Sequence, residues 1–201
     1  MKWFTFLFIL FFFQTFSQTK KDTTIINHCL KKYDTFFYTD IDSAQYYLNK
    51  AKNISTKIKS NYFLAKTSLY FSKFNNFVSD KKKALKYINQ SVFISKKNKL
   101  DSIYVASLEQ LGYIHFIENN YSKALHFYIN ASKIADQKSF FELNAKLLLR
   151  QGYVFFRLQN FKKTLELYNE AEIIAKKNNI KPQLAEAYFA LGNIHLHQKK
   201  K

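Results

Sequence analysis

The sequence predicts an all-α array of antiparallel helix pairs, an α-solenoid, and three observations predict it. The chain's three glycines, Gly112, Gly152 and Gly192, stand 40 residues apart. Other columns keep that interval: Ala44, Ala84, Ala124 and Thr164; Ala51, Ser91, Ala131 and Ala171; Ile54, Ile94, Ile134 and Ile174. Recurrence at a fixed period of roughly 20 to 50 residues is the signature of stacked repeats. Finally, 3 Gly and 1 Pro in 201 residues leave too little turn chemistry for a β-fold or a disordered chain.

The N-terminus comes first in chain order. Lys2 precedes an apolar run from Trp3 to Phe13, followed by polar Gln14, Thr15 and the small Ser17. This is the pattern of a secretory signal peptide. The run is too short for a stable membrane helix, which needs about 20 apolar residues. The expectation is therefore a signal peptide over 1–17, cleaved after about Ser17, a short linker over 18–24, and an exported, periplasmic array over 25–201. Anchoring by an uncleaved N-terminus is the alternative. No later segment is apolar for long enough to span a bilayer, so no transmembrane segment is expected in the mature chain. Cys29 is the only cysteine, which excludes an internal disulfide framework.

The formal charge is +18, from 32 basic and 14 acidic residues. Arg150 and Arg157 are the only arginines; the lysines form short runs at 81–83, 96–99 and 176–177. Lysines in a last helical turn complement the partial negative charge of the helix terminus and keep an array in solution. The charge is thus read as solvated surface, with a salt-sensitive preference for anionic partners. No nucleic acid is expected for an exported protein.

Within a copy, apolar and small residues fall at helical spacing. The first helix carries Leu108, Leu111, Gly112 and His115, then Leu148, Gln151, Gly152 and Phe155 in the next copy. Polar breaks at 118–120 and 159–160 precede a second stripe: Ala124, Leu125, Tyr128, Ala131, Ile134 and Ala135, copied as Thr164, Leu165, Tyr168, Ala171, Ile174 and Ala175. The boundaries drawn from this phase are 25–64, 65–104, 105–144 and 145–184, with a half repeat over 185–201. Glycine inside a helix costs about 0.5 to 1 kcal/mol relative to alanine, so its recurrence needs a packing reason. The expected reason is close approach of paired backbones at Gly112, Gly152, Gly192, Ala84, Ala124, Ala131 and Ala171. Asp80, Asp101 or Ser102, and Ser139 are the expected helix caps, and Pro182 suits a first turn.

These positions resemble the tetratricopeptide repeats, whose motif runs from an aromatic or Leu through Leu-Gly and a Tyr-like residue to Ala, Phe or Tyr, and Ala. The resemblance covers about residues 25–201. It is closest in the copies with Leu108, Leu111-Gly112, His115, Ala124, Tyr128 and Ala131, and with Leu148, Gly152, Phe155, Tyr168 and Ala171. The last copy keeps Tyr188, Leu191-Gly192 and His195; the second replaces glycine with Ser72, and the first is recognised through Ala44, Leu48 and Ala51. The period of 40 exceeds the family's usual length of about 34, as in its longer-repeat sensory branches.

The resemblance implies an inner face lined by the first helix of each pair. Its positions here are Leu69, Lys73, Glu109, Tyr113, Phe116, Lys146, Leu149, Tyr153, Phe156, Arg157, Phe189 and Asn193. Aromatic residues and arginine are common interface anchors, so a protein or peptide partner, acidic peptides included, is expected along this groove. Family members that clamp a C-terminal carboxylate use a basic and amide set, of which Lys146 and Arg150 match two positions. Lys73, Lys146 and Arg150 are then expected to form an anion-favouring patch.

No cofactor, metal or catalytic site is expected. Three glycines 40 residues apart cannot form a phosphate-binding loop. His115 and His195 sit where the family carries a packing aromatic, and His195 and His197, two apart on a helix, make a poor chelate. The expected function is a non-catalytic interaction scaffold, resembling the exported sensor part of bacterial signalling proteins. The apolar stripe Tyr188, Leu191 and Ile194, left without a second helix, suggests a truncated form of one. Alternatives are an envelope-assembly or cell-wall adaptor, and a cytoplasmic nucleic-acid-binding repeat protein.

Overall fold

The structure, a computed structural model, describes residues 20–199, and the expected signal peptide lies outside them. Among the described residues there are nine α-helices and no strand. They are α1 (20–36), α2 (Ile41–Lys57), α3 (Asn61–Phe77), α4 (Lys81–Lys97), α5 (Asp101–Ile117), α6 (Tyr121–Gln137), α7 (Phe141–Arg157), α8 (Phe161–Lys177) and α9 (Lys181–Lys199). The fold is a tetratricopeptide-like α-solenoid.

The metre is twenty residues, two helices to each period of forty. Each helix from α2 to α8 has 17 residues, about 25 Å of rod. The three-residue turns place Lys59, Ser79, Lys99, Asn119, Ser139, Gln159 and Asn179 at φ between 50° and 62°, the left-handed region. Such a residue reverses the chain so that its own N–H and that of the next residue reach back to the last carbonyls of the helix. The Gln159 N–H donates to the Phe156 carbonyl at 3.0 Å and the Asn160 N–H to that of Phe155 at 2.9 Å. Asn160 then opens α8, its side chain accepting from the Lys163 N–H. Asp40, Asp80 and Asn120 do the same at the starts of α2, α4 and α6.

These bounds correct several expectations. The cuts at 64, 104, 144 and 184 fall inside α3, α5, α7 and α9; each pair begins about four residues earlier, because the turn residues and not the glycines set the phase. The linker drawn over 18–24 is helical from residue 20. Leu100 and Phe140 occupy the cap positions of α5 and α7, without side-chain caps; Asp101 lies in the first turn and Ser139 is the left-handed residue.

Contacts divide the chain into two compact units, up to Asn98 and from Lys99. In the first unit Ile26, Leu30 and Tyr33 of α1 pack with Leu48 of α2 and Phe71 and Phe74 of α3. Helices α1 and α3 run side by side, with the Tyr33 and Tyr70 rings 5.2 Å apart and those of Phe37 and Phe77 4.8 Å apart. Cys29 is buried and free, and desolvation pushes its thiol pKa up. In the second unit Leu148 and Leu149 of α7, Leu167, Tyr168 and Ala171 of α8, and Ala187 and Ile194 of α9 share one core.

The recurring small residues are buried: Ala84, Ala124, Ala131 and Ala171 are all at 0% exposure. The glycines act differently from a backbone-on-backbone contact. A β-carbon at Gly112 would stand 2.6 Å from Cδ1 of Tyr128, and one at Gly152 the same distance from Cδ1 of Tyr168. The hole admits an aromatic ring from the following helix. One copy earlier both partners are resized, with Ser72 in the glycine column and Ile88 in the tyrosine column, each fully buried. Gly192 corrects the expectation: a β-carbon there meets nothing within 4 Å, because no described helix covers that face. Ile194, expected in the uncovered stripe, is fully buried.

Candidate functional site

In the second unit the first helices of successive pairs, α5, α7 and α9, are joined by a chain of charges. Glu109 of α5 is buried; its Oε2 accepts from Lys146 Nζ at 3.1 Å and its Oε1 from Arg150 Nε at 3.4 Å, both on α7. Arg150 Nη1 reaches Glu186 Oε1 of α9 at 3.5 Å. Desolvation works against the Arg150 guanidinium, but the Glu109 and Glu186 carboxylates outweigh it and hold the pKa above its ordinary value. Two cations face two carboxylates, so the group is close to neutral.

Beside it runs an aromatic row. Tyr153 lies 5.2 Å from Phe116 and stacks at 11° on Phe156, which meets Phe161 edge-on. Phe116 also tilts against Tyr121, whose hydroxyl accepts from Arg157 Nε at 3.3 Å. Between α7 and α9 a cavity of about 200 Å³ opens, with Leu149 and Ile194 among its buried lining and Tyr153, Phe156 and Phe189 around it. Arg150, Glu186 and Asn193 supply its polar edge. Phe189 is 71% exposed at the mouth of the cavity.

The residues expected on the inner face are dispersed accordingly. The cavity gathers Leu149, Arg150, Tyr153, Phe156, Phe189 and Asn193. Glu109 and Lys146 lie in the charge chain, Phe116 lines the aromatic row, Arg157 flanks it through Tyr121, and Tyr113 is 37% exposed on α5. Leu69 and Lys73 belong to the first unit, where Leu69 is core and the Lys73 ammonium sits 5.5 Å over the Tyr70 ring. Of the residues expected to form an anion-favouring patch, Lys146 and Arg150 pair with carboxylates from the adjacent helices. Sequence reasoning missed Glu186, and it read Tyr168 as core of the second helix without its place in the cavity lining. A signal existed, because ion pairs between adjacent first helices link residues 36 to 41 positions apart.

His115 stacks on Phe127 with ring centroids 5.6 Å apart and its Nδ1 lies 3.5 Å from Glu118 Oε2. The side chains of His195 and His197 lie outside the described part. Among the described residues no group of His, Cys, Asp and Glu could hold a metal ion, and no helix is long and apolar enough to cross a membrane.

Helix pairs, left-handed turns and an inner face built from first helices define a tetratricopeptide-like helical-repeat fold. No protein-family model matches the chain, and no curated protein matches it at significant similarity. Solved structures do. Aspartyl phosphate phosphatase F from Bacillus subtilis matches with a TM-score of 0.73 and 13% identity, over 85% of this chain and 44% of its own. A signal transduction ATPase with numerous domains and a tetratricopeptide repeat sensor, from Pyrococcus horikoshii, matches with a TM-score of 0.73 and 16% identity, over 90% and 27%. A Rap protein complexed with competence and sporulation factor matches with a TM-score of 0.73 and 13% identity, over 89% and 55%. The chain thus spans between about a quarter and just over half of these proteins, and at such identities the likeness is one of fold.

Proposed function

We propose that the chain is a non-catalytic scaffold that binds an extended segment of a partner protein along α5, α7 and α9, seating one apolar or aromatic side chain in the cavity between α7 and α9. The cavity carries this reading. At about 200 Å³ it is smaller than the roughly 300 to 1,000 Å³ typical of small-molecule and cofactor sites, and it suits a single large side chain. Its rings are preplaced, so a ligand side chain gains apolar contact without ordering them first. The Lys146, Arg150, Glu109 and Glu186 group, being balanced, favours hydrogen bonding to a peptide backbone over capture of a free anion.

Two structural neighbours support the reading by their names, one solved with a factor bound and one carrying a repeat region called a sensor. The phosphatase name belongs to another neighbour, of which the match covers 44%. We place this chain in the exported sensor or regulatory class of long-repeat tetratricopeptide proteins, on the strength of the Lys2 to Ser17 pattern. Sequencing the mature N-terminus from an envelope fraction checks that placement: a chain beginning near residue 18 agrees with it, and an intact Met1 in the cytoplasm ends it.

Panning a random peptide library on the 201-residue protein tests the binding mode. Enriched peptides should share one aromatic or aliphatic anchor and lose about tenfold in affinity to the Phe189→Ala variant, as expected for a central hot spot. Peptides that bind wild type and Phe189→Ala, Tyr153→Ala protein equally would remove the cavity from the mechanism.

A further inference from the structure

Helix α7 carries two amides where the other copies hold apolar or aromatic residues. The column of Gln151 reads Phe71, Leu111 and Leu191 elsewhere, and the column of Asn144 reads Leu64, Tyr104 and Leu184. Both residues are buried, at 7% and 4% exposure, and they stand two turns apart on one face of α7. The Asn144 amide is held in place: its Oδ1 accepts from the Ser132 hydroxyl at 2.6 Å and its Nδ2 donates to Asp136 Oδ1 at 3.4 Å, both on α6. The Gln151 amide has no hydrogen-bond partner among the described residues. Leaving a buried amide unpartnered is costly, and the leucines at 111 and 191 carry no such cost.

We propose that these amides form the floor of a binding site for one uncharged sugar ring. They open onto a cavity of about 290 Å³ between α6, α7 and α8. Its α6 wall carries Ile129, Lys133 and Asp136 on one helix face, and Glu170 closes it from α8. The site is separate from the α7–α9 cavity, because Gln151 lies about 200° around the helix from Leu149. Its polar groups are mixed in kind: Asp136 and Glu170 accept, Lys133 donates, and Gln151 does both. A free anion would face two carboxylates, and a simple cation would face the Lys133 ammonium. Hydroxyl groups both donate and accept without net charge, so a polyhydroxyl ring answers the whole set. Ile129 offers an apolar contact for the C–H side of such a ring. The volume lies at the lower end of the roughly 300 to 1,000 Å³ of small-molecule sites, which suits a monosaccharide.

Glucose, galactose, mannose, N-acetylglucosamine and ribose, each titrated into the isotope-labelled 201-residue protein, are the probes. The readout is the side-chain amide signals of Asn144 and Gln151, the latter identified as the signal that Gln151→Leu protein lacks. At least one sugar should shift both signals saturably, with a Kd in the millimolar range. Gln151→Leu and Glu170→Gln should each weaken that binding by about tenfold. Gln151→Leu restores the residue of the 111 and 191 columns, so its helix signal and unfolding midpoint should not fall below wild type. Glu170 is exposed, so Glu170→Gln leaves the core intact and separates a lost site from a damaged fold. Three results would overturn the proposal: no saturable shift with any of the sugars at about 100 mM, binding indifferent to Gln151→Leu, or shifts of the same amides by acetate or putrescine and by none of the sugars, which would make the ligand a charged one.

Discussion

Tyr168 of α8 lays its ring against the bare backbone of Gly152 in α7, in a space where a β-carbon would stand 2.6 Å from Cδ1. Tyr128 and Gly112 repeat the arrangement one copy earlier. Both rings are almost wholly buried, so neither can swing aside into solvent. The glycine column is thereby a set of sockets, and a glycine's worth depends on whether a ring occupies its socket.

The same substitution should therefore act with opposite signs. Gly152→Ala gains about 1 kcal/mol of helix propensity but overpacks a core, which costs about 1 to 3 kcal/mol, so a net loss is expected. Gly192→Ala meets no neighbour and should gain about 0.5 to 1 kcal/mol. Urea unfolding of both variants measures the pair; a Gly152→Ala protein more stable than wild type would contradict the ring's placement.

The turns hold a second reserve of stability. Lys59 and Gln159 adopt φ of 50° and 58°, where a β-carbon crowds the following carbonyl. Lys59→Gly and Gln159→Gly should each stabilise by about 0.5 to 1 kcal/mol, the relief of strain exceeding the added chain entropy. Asn119→Gly should change little, because asparagine tolerates this region. Thermal melts of the three variants order them.

Removing the charge at the centre of the inner face should cost more than removing it at the edge. Glu109→Gln leaves the Lys146 and Arg150 cations, both partly desolvated, without their shared carboxylate, and about 1 to 3 kcal/mol of stability should be lost. Glu186 is 42% exposed at its side chain, so Glu186→Gln should fall below that loss. Denaturant midpoints of the two single variants distinguish them.

Alkaline pH should loosen the helix pairs through their tyrosines. Desolvation, and then the Glu109 charge, raise the Tyr128 pKa; desolvation followed by Tyr153 and Glu186 does so for Tyr168. An acid whose folded pKa lies above its unfolded value, about 10 for tyrosine, contributes stability that is complete below that value and lost as pH rises beyond it. Stability should hold flat to about pH 9 and fall above pH 10, with a shallower fall in the Tyr128→Phe, Tyr168→Phe variant. Helix signal against pH reads the slope.

The columns at Ala44, Ala84, Ala124 and Thr164 and at Ala51, Ser91, Ala131 and Ala171 were legible as core, because a residue touching the same neighbour in every copy must stay small in every copy. The turn phase was harder to read. Its left-handed positions hold Lys, Ser, Asn and Gln where glycine would have marked them, while the glycines sit mid-helix for the sake of tyrosine rings. The inner face was legible as a set of first-helix positions, but not its electrostatics, since Glu186 and Arg150 are 36 residues apart and become partners only when α7 and α9 lie side by side.

By itself, then, the sequence determined the helical pair and its period, because repeated small and apolar residues at helical spacing are buried by pairing one helix against the next. The tertiary structure alone decided which lysine and arginine charges are cancelled, which glycines are filled and which one stands open. Those outcomes depend on what the neighbouring helix brings to within a few ångströms, and that distance is set by packing.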